Sequence, residues 1–152
     1  MNRFLPVGAL LLLSVSALGQ KDGPKVQRIN PAALPTPNGY LHVVVTQGGR
    51  TIYVSGQVPV AKDGKLVGAG NMEAQTRQVF ENLKAALTGA GAELKDLVKI
   101  NIYTTDASQL AAIRKVRDEY IKGDLPTSTF MEVKALFRPD VMIEIDGVAV
   151  AK

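Results

Sequence analysis

The chain contains no cysteine, no tryptophan and a single histidine, His42. Without thiols there is no disulfide framework, no thiol nucleophile and no thiolate metal site. With one imidazole, a multi-histidine metal centre is excluded, and a Ser-His-Asp triad would have to use His42. Aromatic residues make up only 5% of the chain, which gives no basic aromatic platform for stacking single-stranded nucleic acid. Charge of one sign is not concentrated either. The formal net charge of +4 comes from 18 basic and 14 acidic residues spread along the sequence, whereas nucleic-acid binders gather their basic residues on one face or helix. The expectation is therefore no nucleic-acid partner and no bound cofactor. Chemistry is left to carboxylates, hydroxyls, Arg, Lys and backbone groups.

What is present is ordinary globular composition, 46% apolar and 21% charged over 152 residues, enough for about one domain. The N-terminus stands apart. After Asn2 and Arg3, Phe4 to Leu18 is an almost unbroken apolar run, and Ala17-Leu18-Gly19 offers small residues where a signal peptidase reads. The run is shorter than the roughly 20 residues of a membrane span, and Pro6 and Gly8 disfavour a helix within it. This pattern predicts a signal peptide over residues 1–19, with export to the periplasm or beyond and no membrane attachment after cleavage. The alternative is an uncleaved N-terminal anchor. No Cys follows the run, so a lipoprotein anchor has no attachment point. Removing Arg3 takes the 18 basic residues to 17 against 14 acidic, a charge of +3.

Residues 20–38 carry Pro24, Pro31, Pro35 and Pro37. Because proline fixes φ and removes amide donors, they are predicted as an extended arm ahead of a domain over 39–152. Leu41–Thr46 and Thr51–Ser55 read as two strands of a hairpin turned by Gln47-Gly48-Gly49-Arg50. Asn71 is a candidate N-cap for a helix over about 73–88, whose Val79, Phe80, Leu83 and Leu87 share a face. Leu97–Tyr103 reads as a strand with Val98, Ile100 and Ile102 on one face and Lys99, Asn101 and Tyr103 on the other. Asp106 or Ser108 caps a second helix, about 108–121, and strands at about 128–136 and 141–150 close the chain. The order β-β-α-β-α-β-β defines an α+β layer with two helices on one face of a sheet. In the last strand Ile143, Ile145 and Ala149 point one way, while Met142, Glu144, Asp146, Val148 and Val150 point the other. That second face is too apolar for water and too charged for a plain core, which predicts that it is covered by oligomerisation.

Three segments carry a family resemblance. Val54-Ser55-Gly56-Gln57-Val58-Pro59-Val60 resembles the SGQ(I/V)P segment of the RidA/YjgF family, whose older name is L-PSP endoribonuclease. Residues 74–83, AQTRQVFENL, resemble its AQTRQ..ENL helix, and residues 141–150, VMIEIDGVAV, its closing V.IEIEA.AV strand. The segments run in the same order over about residues 39–150, which is more specific than any one of them alone. The resemblance implies a chorismate-mutase-like subunit in a homotrimer, with clefts for a small metabolite between subunits. It also implies, for the best-known members, hydrolysis of reactive imino or enamine acids to keto acids and ammonia. Those members grip the substrate carboxylate with an Arg in a P-x-R-[ST] segment. Here Pro126-Thr127-Ser128-Thr129 puts Ser128 at that position, and a hydroxyl cannot replace the guanidinium fork. Phe130 stands where that branch often has Cys. Asp146 stands for the Glu that orients water, one methylene shorter. The chain thus resembles the branches without the deaminase arginine.

The candidate residues follow. Asp146 is the candidate for water orientation in catalysis, against a role as an intersubunit anchor, and Glu144 shares its strand face. Ser55 and Gly56 let backbone approach a ligand, or simply end a strand. Tyr40 and His42 fall on one strand face, as cleft lining or as packing. Arg114 and Arg117 lie on the second helix; Arg114, or its neighbour, could supply the anion grip that Ser128 lacks, or both are solvated. Ser128 and Phe130 complete the ligand-binding set. Three functions compete: a metal-free imine or enamine deaminase of weak activity, a non-catalytic small-molecule-binding trimer, and a ribonuclease. RNA cleavage by acid–base chemistry wants two groups titrating near neutrality, and one His is available, so the ribonuclease ranks last.

Overall fold

The computed structural model describes residues 23–152; the predicted signal peptide and the start of the arm lie outside the described residues. The elements are β1 (Lys25–Ile29), β2 (Val43–Gln47), β3 (Arg50–Gln57), α1 (Met72–Gly89), β4 (Leu97–Thr104), α2 (Leu110–Tyr120), β5 (Thr127–Glu132) and β6 (Ile143–Ala151). The predicted α+β order is present, with one further strand ahead of it. That strand, β1, occupies the proline-free interval between Pro24 and Pro31, where every amide is free to join a ladder.

The expected hairpin of the second and third strands does not form. β2 pairs antiparallel with β1, Val26 opposite Thr46 and Ile29 opposite Val43, whereas β3 pairs with β6. Between them Gly48 and Gly49 both take positive φ, 73° and 77°, a backbone open only to glycine at low cost. A side chain on Gly49 would meet Pro24 and Val150 at 2.9 and 3.0 Å. The chain pivots at this point and sends its two strands into different sheets.

The main sheet has the order β3-β6-β4-β5. β6 runs antiparallel to both β3 and β4, while β5 is parallel to β4, with α2 as the crossover. Both helices cover one face. Phe80, Leu83 and Leu87 of α1 and Ile113 and Val116 of α2 are buried against Ile100 and Ile102 of β4 and Ile143, Ile145 and Ala149 of β6. Each such side chain contributes about 1.5–3 kcal/mol. Phe80 also stacks on Tyr120 with centroids 5.1 Å apart. Asn71 caps α1, its Oδ1 accepting from Ala74 N at 3.0 Å. Asp106 caps a short 3-10 turn, Ala107–Gln109, that leads into α2.

Two packing expectations are corrected. The pairing of β4 with β6 is irregular between Leu97 and Lys99. Leu97, 1% exposed, therefore takes the inward position that alternation gave to Val98. Val150, predicted on the face left for a partner, is already 4% exposed within one chain, because Pro24 and Gly49 of the β1–β2 ribbon lie over it. The rest of that face is open: Tyr53 of β3, opposite Val148, is 81% exposed.

Candidate functional site

The candidate residues gather in two places on opposite faces of the sheet. The first is a cavity of about 210 Å³ on the helix side of β5, lined by Asn38, Tyr40, Arg114, Arg117, Ser128 and Phe130 among others. Alternation along β5 turns Ser128 and Phe130 toward α2, since they pair with the inward Ile100 and Ile102 of β4. Leu41 donates its N–H to Pro126 O at 3.1 Å and bridges to Thr127, which seats Tyr40 beside the start of β5. Arg114 and Arg117 lie three apart on α2, so both reach the cavity from one helix face.

The two arginines are in different electrostatic states. Arg117 is 6% exposed and donates Nε and Nη2 to Asp118 Oδ1 at 2.9 and 2.7 Å. Its guanidinium lies directly under Gly39, whose φ is +76° and whose absent Cβ would stand 2.3 Å from Nη2. Arg117 is thus neutralised and holds the Asn38–Tyr40 segment on α2. Arg114 is half-buried and has no ion-pair partner among the described residues. It leaves the cavity with one uncompensated positive charge. His42 does not line the cavity; its ring sits edge-on to Tyr40 at 5.4 Å, with Nε2 2.8 Å from Pro35 O.

The second group lies on the open face and beside β3. Asp146 accepts from Asn101 Nδ2 at 2.9 Å on one oxygen and from Tyr103 Oη at 2.8 Å on the other. The bond to Asp146 raises the Tyr103 phenol above its ordinary pKa, with burial adding to the effect. Glu144 lies next to Gly56, where an added Cβ would stand 1.8 Å from Oε1. Gly56 therefore serves by its missing side chain, which leaves the space the carboxylate fills. Ser55 is exposed at the strand edge. Asn101 and Tyr103 were legible as a shared face, but only the β4–β6 register puts them on Asp146. Asn38 carried no signal in the sequence. Glu144 and Asp146 on β6 lie two strand spacings from Ser128 and Phe130 on β5, roughly 10 Å at about 4.8 Å each, and on the opposite face of the sheet.

A larger groove, about 770 Å³, runs along the solvent side of α1 past Asn71, Glu73 and Arg77. Its Glu73 and Arg77 are matched by Lys115 and Glu119, and its Glu81 accepts from Tyr120 Oη at 2.7 Å, so among the described residues the groove offers an anion no unpaired cation. Among the described residues no three His, Cys, Asp or Glu side chains come together in a metal-binding cluster.

Two amphipathic helices on a mixed four-stranded sheet, with an arginine-lined cavity at the β5 edge, define a subunit of the Rid type. Residues 31–151 match the family model described as Endoribonuclease L-PSP, and the chain belongs to that family. It is 36% identical over 121 residues to the 3-aminoacrylate deaminase RutC of Acinetobacter baylyi, covering 80% of this chain and 94% of the relative. A RutC family protein of Pyrococcus horikoshii is 38% identical over 104 residues, 68% of this chain and 81% of the relative. Among solved structures, a conserved Rid-family protein of unknown function from Yersinia pestis superposes with a TM-score of 0.76 at 36% identity. That match covers 82% of this chain and 98% of the other.

Proposed function

We propose that this protein is an exported Rid-family oligomer, a homotrimer, whose clefts between subunits hold a small monoanionic metabolite and hydrolyse imines or enamines weakly. The observation that carries the reading is the division of the site. The helix-side cavity has a free cation, Arg114, and a hydroxyl, Ser128, but none of the candidate carboxylates. The open face has the carboxylates and an exposed Lys99 but neither arginine, and it lies on the other side of the sheet, two strand spacings or roughly 10 Å from β5. One subunit cannot apply both to one small molecule. A neighbouring copy, packed over the open face around Tyr53 and Val148, supplies the missing half.

In such a cleft Arg114 neutralises the carboxylate of the ligand, while Tyr40 and Phe130 wall its apolar part. An enamine first takes a proton on carbon to become the imine. Glu144 then accepts a proton from water as the oxygen adds to the C=N carbon and passes it to the nitrogen, and the carbinolamine collapses to a carbonyl as ammonia leaves. Asp146 spends both oxygens on Asn101 and Tyr103, so water activation passes to Glu144 and Asp146 fixes the face around it. The similarity to a 3-aminoacrylate deaminase supports an enamine of a small acid as the substrate class. Ser128 in place of an arginine supports weak turnover, and with it the second reading, a trimer that binds such acids without turnover.

Subunit mixing tests the proposal. Arg114→Ala and Glu144→Ala each lose hydrolysis of an imine generated in situ by an amino-acid oxidase. Refolding the two together restores part of the activity if the site is shared between subunits. No recovery from verified mixed trimers, or a stable monomer by light scattering at micromolar concentration, would rule out the shared cleft.

A further inference from the structure

The inner face of α1 carries amides where a core helix would carry only apolar groups, and they bind backbone on two sides of one contact. Gln75, fully buried, donates Nε2 to Asp140 O at 2.8 Å and accepts from Met142 N at 2.7 Å. It thus holds both flanks of the buried Val141 just before β6. Asn82 donates to Val58 O at 2.8 Å and Val60 O at 2.9 Å, and its Oδ1 accepts from Gln78 Nε2 at 2.8 Å. That fixes the segment leaving β3. Met142 stands two residues before Glu144, and Val58 two residues after Gly56. The two strand ends so anchored are the ones that meet where Glu144 fills the space beside Gly56.

We infer that Gln75 and Asn82 are positioning residues, with α1 as the ruler that sets the Glu144 carboxylate against Gly56. They are seven residues apart, close to two helical turns or about 10.5 Å, and so face the same side. Both amides bond at each end: Gln75 through one Nε2 hydrogen and its Oε1, Asn82 through both Nδ2 hydrogens and its Oδ1. Replacing Gln75 by an apolar group leaves Asp140 O and Met142 N without these partners, and replacing Asn82 removes the amide from Val60 O and leaves Val58 O only the Val60 N–H, so the loop and strand end must move to find water. Because the β3–β6 pairing is irregular between Val54 and Gln57 and resumes only at Gln57 opposite Ile145, Ser55 and Gly56 lack a regular ladder to hold them. The side-chain anchors replace that ladder. This inference rests on Glu144 serving the ligand, but its geometry is tested without one.

The experiment compares carboxyl carbon and amide spectra of Asn82→Ala and Gln75→Ala with those of Ala86→Gly. The control weakens the same helix through its propensity without touching either anchor. The expected result is a displaced Gly56 amide and Glu144 carboxyl resonance in both amide variants and in neither case in the control. Should Asn82→Ala fail to fold, Asn82→Ser, whose hydroxyl reaches at most one carbonyl, serves the same comparison. Resonances that move no further in the amide variants than in Ala86→Gly would overturn the inference. Pyruvate, titrated as a small carboxylate probe, should bind the amide variants about tenfold more weakly, which corresponds to about 1.4 kcal/mol. If pyruvate fails to bind the wild-type protein, the ligand reading falls while the spectra still decide the anchoring.

Discussion

Replacing Gly39 by alanine tests how the cavity is held closed on its N-terminal side. At φ +76° an alanine suffers the left-handed penalty of about 1–2 kcal/mol. Its Cβ would also stand 2.3 Å from Arg117 Nη2 and 3.0 Å from Cζ, well inside contact distance, so the guanidinium has to leave. The side chain displaced is 7% exposed and bonded to an Asp118 that is 60% exposed. A charged hydrogen bond is worth about 1.5–3 kcal/mol, but water reaches Asp118 and recovers much of that. About 2–4 kcal/mol in total is the expected loss of stability, near the upper range for a single substitution. Thermal melts and urea unfolding measure it. The double mutant with Arg117→Ala removes the clash and retains only the backbone penalty, so the two changes should combine to less than their sum by about 1 kcal/mol or more. A Gly39→Ala loss below about 0.5 kcal/mol, or simple additivity with Arg117→Ala, would refute the reasoning.

Other outcomes follow from the same geometry. Ser128→Arg should raise imine hydrolysis by roughly a hundredfold, since a two-bond grip at about 1.5 kcal/mol per bond is worth about two powers of ten. A rate that Ser128→Arg leaves unchanged would show that Arg114 alone already holds the carboxylate as tightly as the added fork could. Tyr103 has a raised pKa, so its contribution to stability is complete below the ordinary phenol range near 10 and is lost as pH rises through the folded-state value. Stability measured against pH should fall on the alkaline side, and Tyr103→Phe should flatten that fall; an unchanged slope would dissociate Tyr103 from Asp146. N-terminal sequencing of the extracytoplasmic fraction should begin at or near Gln20, whereas Met1 intact in a soluble cytoplasmic pool would overturn export.

Periodicity alone determined the two helices, the alternation of β6 and the α+β layer, because each depends on residues a few positions apart. Asn71 as N-cap and the split of Asn101 and Tyr103 from Ile100 and Ile102 were local in the same sense. Where strands pair is not local. Leu41–Thr46 and Thr51–Ser55 carry hairpin spacing, yet a ladder is a choice among partners, and β1 and β6 offered better-matched edges than the two strands offered each other. The irregular step after Leu97 exchanged Leu97 for Val98 in the core, a displacement that strict alternation cannot encode. The site followed the same division. Chemistry-bearing residues were visible as types: two carboxylates on one strand face, two arginines on one helix and a serine after Pro126. Their charge states were not visible, because Arg117 is neutralised by its neighbour only once Gly39 presses it down, and Asp146 is occupied only once β4 and β6 are in register. The sequence by itself determined which groups were available and which elements carried them. Tertiary structure alone decided which groups stayed free, because burial and pairing are set by contacts between segments far apart in the chain.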